Sequence, residues 1–175
     1  NCDISETLFC YRISEKTRYC LVDLNVIKSN DYIAVGDKIT IIKELSLDEC
    51  IKYDKTGEWC YRFVRNIKSA DVNKLQNAII EKDDSGILCY GFALFIKGAD
   101  INKLQDAVIE KDKFGEYCYW FAFSIKGADI DKLQDAVIEK NFDGELYYRF
   151  AINVKGADIN KLQDAVIEKD KFGEY

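Results

Sequence analysis

Acids recur in fixed pairs along this chain, Asp106 with Glu110, Asp135 with Glu139 and Asp164 with Glu168. Two carboxylates act as a general acid and base only where their surroundings push their pKa values apart. A four-residue spacing puts both on one helix face, and that face is polar, so both are expected to stay solvated and ionised. An active site is also seldom copied into every unit of an array. The chain has no histidine, which excludes Ser-His-Asp and Cys-His nucleophilic chemistry and histidine-metal sites at once. There is no Gly-rich phosphate loop; the recurring glycine of Lys-Gly-Ala-Asp sits where a helix ends. The residues predict no enzyme, no cofactor and no metal.

Seven cysteines invite a disulfide or zinc reading until they are placed on the repeat. Cys60, Cys89 and Cys118 occupy one position of it, and Tyr147 replaces them in the next copy. Equivalent positions on packed helices lie roughly 8–10 Å apart, beyond the Cα reach of a disulfide. These three therefore read as small buried hydrophobes in a reducing compartment, and a cytoplasmic location is expected. Cys2, Cys10, Cys20 and Cys50 lie outside the register, and a pair among them stays open. No CxxC spacing occurs to build a zinc site.

The element carrying all these residues returns every 29 residues, from Lys68 to Lys97, Lys126 and Lys155. Such a period is the mark of a solenoid, one small unit stacked on copies of itself. In the copy from Asp100 to Ala128, Asp100 has the place of an N-cap. A first helix follows over Ile101–Lys111, with Ile101, Leu104, Val108 and Ile109 on one stripe. Asp112-Lys113-Phe114-Gly115 makes a turn. A second helix runs from about Glu116 to Ile125 and stops at Gly127, which suits a left-handed C-cap. Aromatic-rich EYCYWFAFSI also fits a strand on propensity, but the flanking caps favour helix. The expectation is an all-α fold, a right-handed α-solenoid of two-helix repeats. Its units fall near 42–70, 71–99, 100–128 and 129–157, with a partial unit at 158–175.

Second helices differ from copy to copy in an ordered way: EWCYRFVRNI, ILCYGFALFI, EYCYWFAFSI and ELYYRFAINV. Positions of the type of Cys118, Phe121, Ala122 and Ile125 hold their character and fall on one side of the helical wheel. Those that vary most share the opposite side. That face predicts a partner-binding surface made of Leu94, Phe95, Trp120 and Phe123, flanked by Arg62, Arg65 and Arg149. Trp and Arg are enriched in binding hot spots, and contiguous exposed apolar patches are unusual unless used. The alternative is that Trp120 and Phe123 fill space between the hairpin's own helices.

Two further files read as structural. Gln76, Gln105, Gln134 and Gln163 fall within the apolar stripe of the first helix, so their amides must bond loop backbone or one another. Tyr61, Tyr90, Tyr119 and Tyr148 are expected at the core edge, hydroxyls outward. Residues 1–45 read as a divergent N-terminal capping segment before the array at 46–175. Helices are favoured there, LFCYRIS echoing the second helix, with short strands as the alternative, and Ser46 is expected to cap a helix over Asp48–Tyr53. The chain begins at Asn1 rather than Met, which leaves a removed leader open. KGADINKLQDAVIEKDKFGEY occurs twice unchanged, at Lys97–Tyr117 and Lys155–Tyr175. With no polar capping unit after it, two readings stand: part of a longer array, or an open end covered by a partner or second copy.

Proline is absent and the net charge is −6. The first suits uninterrupted helices, and the second disfavours nucleic acid, which needs clustered Lys and Arg. No apolar run approaches the ~18–20 residues of a membrane span. The unit G-A-D-I-x-x-L-Q-x-A-V-I…E-Y-C-Y-x-F-A resembles a short helical-hairpin repeat of uncharacterised bacterial and phage proteins. It is similar in design to HEAT and tetratricopeptide solenoids, though shorter and without their signatures. That resemblance, over about Gly57 to Tyr175, implies an α-solenoid and, by analogy, protein binding. The expected function is an interaction scaffold for a protein or peptide segment. Two alternatives stand beside it. One is an acidic inhibitor or decoy blocking a nucleic-acid enzyme through the carboxylate rows. The other is a self-assembling structural repeat, joined through its C-terminal end.

Overall fold

The structure, a computed structural model, describes residues 47–67, 70–141 and 144–170, together with the backbone of four short strands before them. The chain divides into two compact units, Asn1–Lys82 and Asp83–Tyr175. From Leu47 onward every described element is an α-helix. The first unit holds α1 (Leu47–Tyr53), α2 (Glu58–Asn66) and α3 (Val72–Lys82). The second holds α4 (Ile87–Phe95), α5 (Ile101–Lys111), α6 (Glu116–Ser124), α7 (Ile130–Lys140), α8 (Gly144–Asn153) and α9 (Ile159–Asp170). No helix among the described residues is long and apolar enough to cross a membrane.

The N-terminal stretches depart from the favoured helical reading. β1 (Phe9–Arg12) pairs antiparallel with β2 (Tyr19–Val22), and β3 (Tyr32–Val35) with β4 (Lys38–Ile41). Val, Ile and Tyr dominate these short runs, and a β-branched residue loses rotamer freedom in a helix that it keeps on a pleated ribbon. The echo of the second helix in LFCYRIS was therefore one of composition. Ser46, and any pairing among Cys2, Cys10, Cys20 and Cys50, fall outside the described residues.

Within the array the helices begin where the sequence places them. Asp100 and Asp129 cap α5 and α7, their side chains accepting from the N–H of Lys103 and Lys132 at 3.2 Å. The second helices start on left-handed glycines, Gly57, Gly86 and Gly115, which have no side chain to cap with. An aspartate three residues earlier does that work. Asp112 Oδ1 accepts from Phe114 and Gly115 N–H, both at 3.1 Å, and its Oδ2 from Cys118 N–H at 2.9 Å. Asp83 holds Ser85, Gly86 and Cys89 in the same way, and Asp54 holds Thr56, Gly57 and Cys60. All three carboxylates are buried. Gly115 is doubly constrained, by φ +78° and because a Cβ there would lie 3.2 Å from Val137 Cα.

Lysines tie successive turns together: Lys82 Nζ donates to Asp54 O and Lys111 Nζ to Asp83 O. The glutamine file is buried at Gln76, Gln105 and Gln134, and the amides of Gln105 and Gln134 bond loop backbone. Gln105 Oε1 accepts from Asp129 N–H at 2.7 Å. Gln134 bonds Asp158 twice, accepting its N–H at 2.8 Å and donating to its carbonyl at 3.0 Å. In the second unit α5 packs on α4, α6 and α7, and α6 also on α7, α4 and α8. Cys89, Phe92, Leu104, Val108, Cys118, Phe121, Leu133 and Val137 are sealed from solvent. Cys60, Cys89 and Cys118 are all buried, as their common position predicts.

Two outcomes follow for stability. Asp112→Ala strands three N–H groups, two of them buried, and is expected to cost about 2–4 kcal/mol in urea denaturation; exposed Asp106→Ala stays under about 1 kcal/mol. Burial first, then the neighbouring aspartate, pushes the Cys89 and Cys118 thiols far above their ordinary value. Above about pH 8.5 the unfolded chain ionises thiols that the native chain keeps protonated, so native stability falls as pH rises. The slope is at most about 1.4 kcal/mol per pH unit per thiol, and it should flatten in the Cys89→Ala, Cys118→Ala double variant.

Candidate interaction surface

The position in each second helix that is fixed by the buried aspartate orients the rest of that helix. With Cys118 N–H bonded to Asp112 and its side chain buried, Phe121, Ala122 and Ile125 follow it inward. The opposite face turns outward at every copy. Glu116, Phe123 and Ser124 of α6 are exposed, as are Ile87, Leu94 and Phe95 of α4 and Glu145, Ile152 and Asn153 of α8. Glu58, Arg62, Arg65 and Asn66 of α2 are exposed in the first unit. EYCYWFAFSI is therefore helix with its variable side outward, and Phe123 does not fill space inside the hairpin.

α6 packs on both α4 and α8, so the outer faces of the three helices lie side by side in the second unit and carry several large apolar groups among polar ones. Phe95 is 60% exposed, Phe123 51% and Leu94 37%. Trp120 is half-buried, its ring 5.1 Å from Tyr119 and edge-on to Phe123 at 6.1 Å. Tyr119 and Phe123 are stacked at 16°. Arg149, half-buried on α8, lays its guanidinium over Tyr119 at 4.9 Å and Trp120 at 5.6 Å. It thus clamps α8 to α6 by cation–π attraction besides contributing to the face.

The two arginines of the first unit also lie over aromatic rings. Arg62 pairs with Glu58 one turn away and sits 5.0 Å from the Trp59 ring. Arg65 lies 5.6 Å from the ring of Tyr61. The structure thus groups Trp120, Phe123 and Arg149 around Tyr119, places Leu94 and Phe95 on the adjoining α4, and leaves Arg62 and Arg65 on α2 of the first unit.

Some exposed groups escaped the sequence reading. Tyr148 belongs to the tyrosine file yet is 65% exposed, while Tyr119 is buried. The ninth position of the second helix, which varies, is partly spent between helices: Ser124 Oγ lies 3.0 Å from Tyr90 OH, and Asn153 Nδ2 donates to Tyr119 OH at 3.2 Å. Phe114, in the turn, is exposed where other copies carry Thr56 and Ser85. That polar-to-apolar alternation was a legible signal of a solvent-facing place. The carboxylate pairs lie exposed on the first helices, and Lys132 and Lys161 pair with Asp106 and Asp135 of the preceding copy. Among the described residues no group of three Cys, Asp or Glu stands close enough to hold a metal ion.

Arg149→Ala removes the clamp and is expected to cost about 1 kcal/mol, the scale of a partly exposed cation–π contact. Thermal melts check the loss, and red-shifted, more quenchable Trp120 emission checks its location. Against protein-family models, curated proteins and solved structures, this chain finds no match.

Proposed function

We propose that this chain is a cytoplasmic interaction scaffold, a right-handed α-solenoid that binds a helical or extended segment of another protein along the variable face of its second helices. One observation carries the reading. Most places where copies differ face solvent, and on α4 and α6 they include the exposed apolar side chains Ile87, Leu94, Phe95 and Phe123. Leu94, Phe95, Trp120 and Phe123 supply the contact area, with Arg149 held rigid at its edge. A pre-ordered aromatic surface loses little side-chain entropy on binding, which is where hot-spot affinity comes from. Within the first unit, Arg62 and Arg65 give the corresponding face of α2 a chemistry suited to acidic or carbonyl-rich segments. Binding without catalysis fits a chain that lacks histidine and repeats its carboxylates in solvated positions.

The decoy reading loses support at the first helices. A mimic of nucleic acid presents unpaired negative charge, but Asp106 and Asp135 each have a lysine from the next copy beside them. The sign alternates along that face and the field is short-ranged.

Panning a displayed library of helical peptides against the chain tests the scaffold. Selected peptides should carry an apolar stripe and bind at least about tenfold more weakly to Phe95→Asp, Phe123→Asp, which removes two exposed apolar anchors. Raising salt from about 0.05 to about 0.5 M should change their affinity less than about threefold, as for contacts that carry little charge. Binders indifferent to the double variant, or lost in salt, would sink the proposal.

A further inference from the structure

The second helices of the second unit run into a common turn, and each turn carries one exposed lysine: Lys97 after α4, Lys126 after α6 and Lys155 after α8. No acid among the described residues pairs with any of the three. The aspartates three residues further on, Asp100, Asp129 and Asp158, are engaged in capping, their side chains accepting from the N–H groups of Lys103, Lys132 and Lys161. Phe95, Phe123 and Ile152, each more than half exposed, lie two or three residues before the lysines. The apolar groups of this face therefore border a row of uncompensated cations. At the other end of the helices the rim is acidic on α6 and α8, through Glu116 and Glu145, and apolar on α4, through Ile87.

The dimensions of this face suit one kind of occupant. A nine-residue helix such as α4 or α6 is about 13–14 Å long, and an α-helix with its side chains is about 10–12 Å across. One helix laid across α4, α6 and α8 thus fits between the two rims. Packed helices stand roughly 8–10 Å apart, close to the ~10 Å that seven residues advance along an α-helix. Successive lysines therefore meet the same flank of the crossing helix. An extended segment gains less, because it is held through unpaired backbone at a sheet edge, and the backbone of these helices is spent on itself. Lysines beside exposed phenylalanines also suit an anionic lipid surface, but Glu116 and Glu145 on the same face and a net charge of −6 oppose it.

We propose that the segment bound by this scaffold is an amphipathic α-helix that crosses α4, α6 and α8 with acidic residues at seven-residue intervals along one flank. The inference rests on the scaffold reading and adds the partner's chemistry to it. Burial of the helix's apolar stripe against Leu94, Phe95 and Phe123 supplies the affinity. The lysine row sets which way the helix lies, since a helix turned end for end would bring its acids against Glu116 and Glu145.

Helical peptides are selected from a displayed library at low salt against the native chain, against Lys97→Gln, Lys126→Gln, Lys155→Gln, and against the matching triple glutamate variant. The substituted positions are exposed, and circular dichroism checks that both variants fold. Peptides selected on the native chain should carry Asp or Glu at seven-residue intervals on one flank of their apolar stripe. The glutamine variant should select no such excess, and the glutamate variant should select Lys or Arg at the same places. A native-selected peptide should bind the glutamine variant about twofold to threefold more weakly, the scale of a few exposed ion pairs. Peptides that need Phe95 and Phe123 yet show the same flank against all three chains overturn this inference and leave the scaffold reading standing. Peptides indifferent to Phe95→Asp, Phe123→Asp overturn both. Co-sedimentation with vesicles of equal parts phosphatidylcholine and phosphatidylserine, lost in that double variant, would assign the face to lipid and overturn the inference, as would dimerisation of the chain through the same two phenylalanines.

Discussion

The buried aspartate that opens the second helices α2, α4 and α6 is the contact on which the rest depends. A glycine at the N-cap lets the chain turn sharply, through the left-handed region that glycine alone enters without strain. It also leaves the first amides of the next helix without a side-chain acceptor. Asp54, Asp83 and Asp112 fill that gap from three residues upstream, each spanning the turn and the helix start with one carboxylate. Such a charge is tolerated in the interior because several N–H groups replace its water. The fourth copy shows the dependence by exception. Asn141 replaces the aspartate and Tyr147 the cysteine, and the new phenol donates to Asn141 O and Ile138 O. The tie at that copy is therefore of the opposite kind, a side-chain donor on the second helix reaching carbonyls at the end of the first.

With the turn held, α5 and α7 are each registered on the next copy by polar groups rather than by apolar packing alone. Apolar stripes of Leu, Ala and Val tolerate sliding, but a buried glutamine amide does not, since displacement leaves it unsatisfied. Gln105 and Gln134 each seek the backbone of the following Asp turn. The lysines that reach Asp54 O and Asp83 O add a second constraint at the hairpin's other end.

A frame fixed so thoroughly frees one face from structural duty. On the second helices that face carries Arg, Leu, Phe, Trp, Ile and Asn at equivalent places, a range that no shared packing requirement would allow. Some of this variety still serves the fold. Ser124 and Asn153 bridge neighbouring helices, and Arg149 spans two rings. What is left outward is chiefly Leu94, Phe95, Phe123, Tyr148 and Ile152, a cluster of large apolar groups on a helical platform.

Periodicity alone determined the helical unit, because a 3.6-residue stripe bounded by an Asp cap and a left-handed glycine admits few other conformations. It also separated inward from outward positions, since copies can differ freely only where they touch nothing in common. Other features needed three dimensions. Asp112 read as an ordinary turn residue, for its partner Cys118 lies beyond the reach of local turn rules, although the recurring Asp-x-x-Gly-x-x-Cys spacing marked it. The strands at Phe9–Arg12 and Tyr32–Val35 escaped because short Val- and Ile-rich runs carry too few residues to tell the two periods apart. That Tyr119 is buried and Tyr148 exposed could not be read from a shared sequence position. Burial belongs to the neighbours a helix acquires, and only packing against α8 closes over one ring while leaving the other in water.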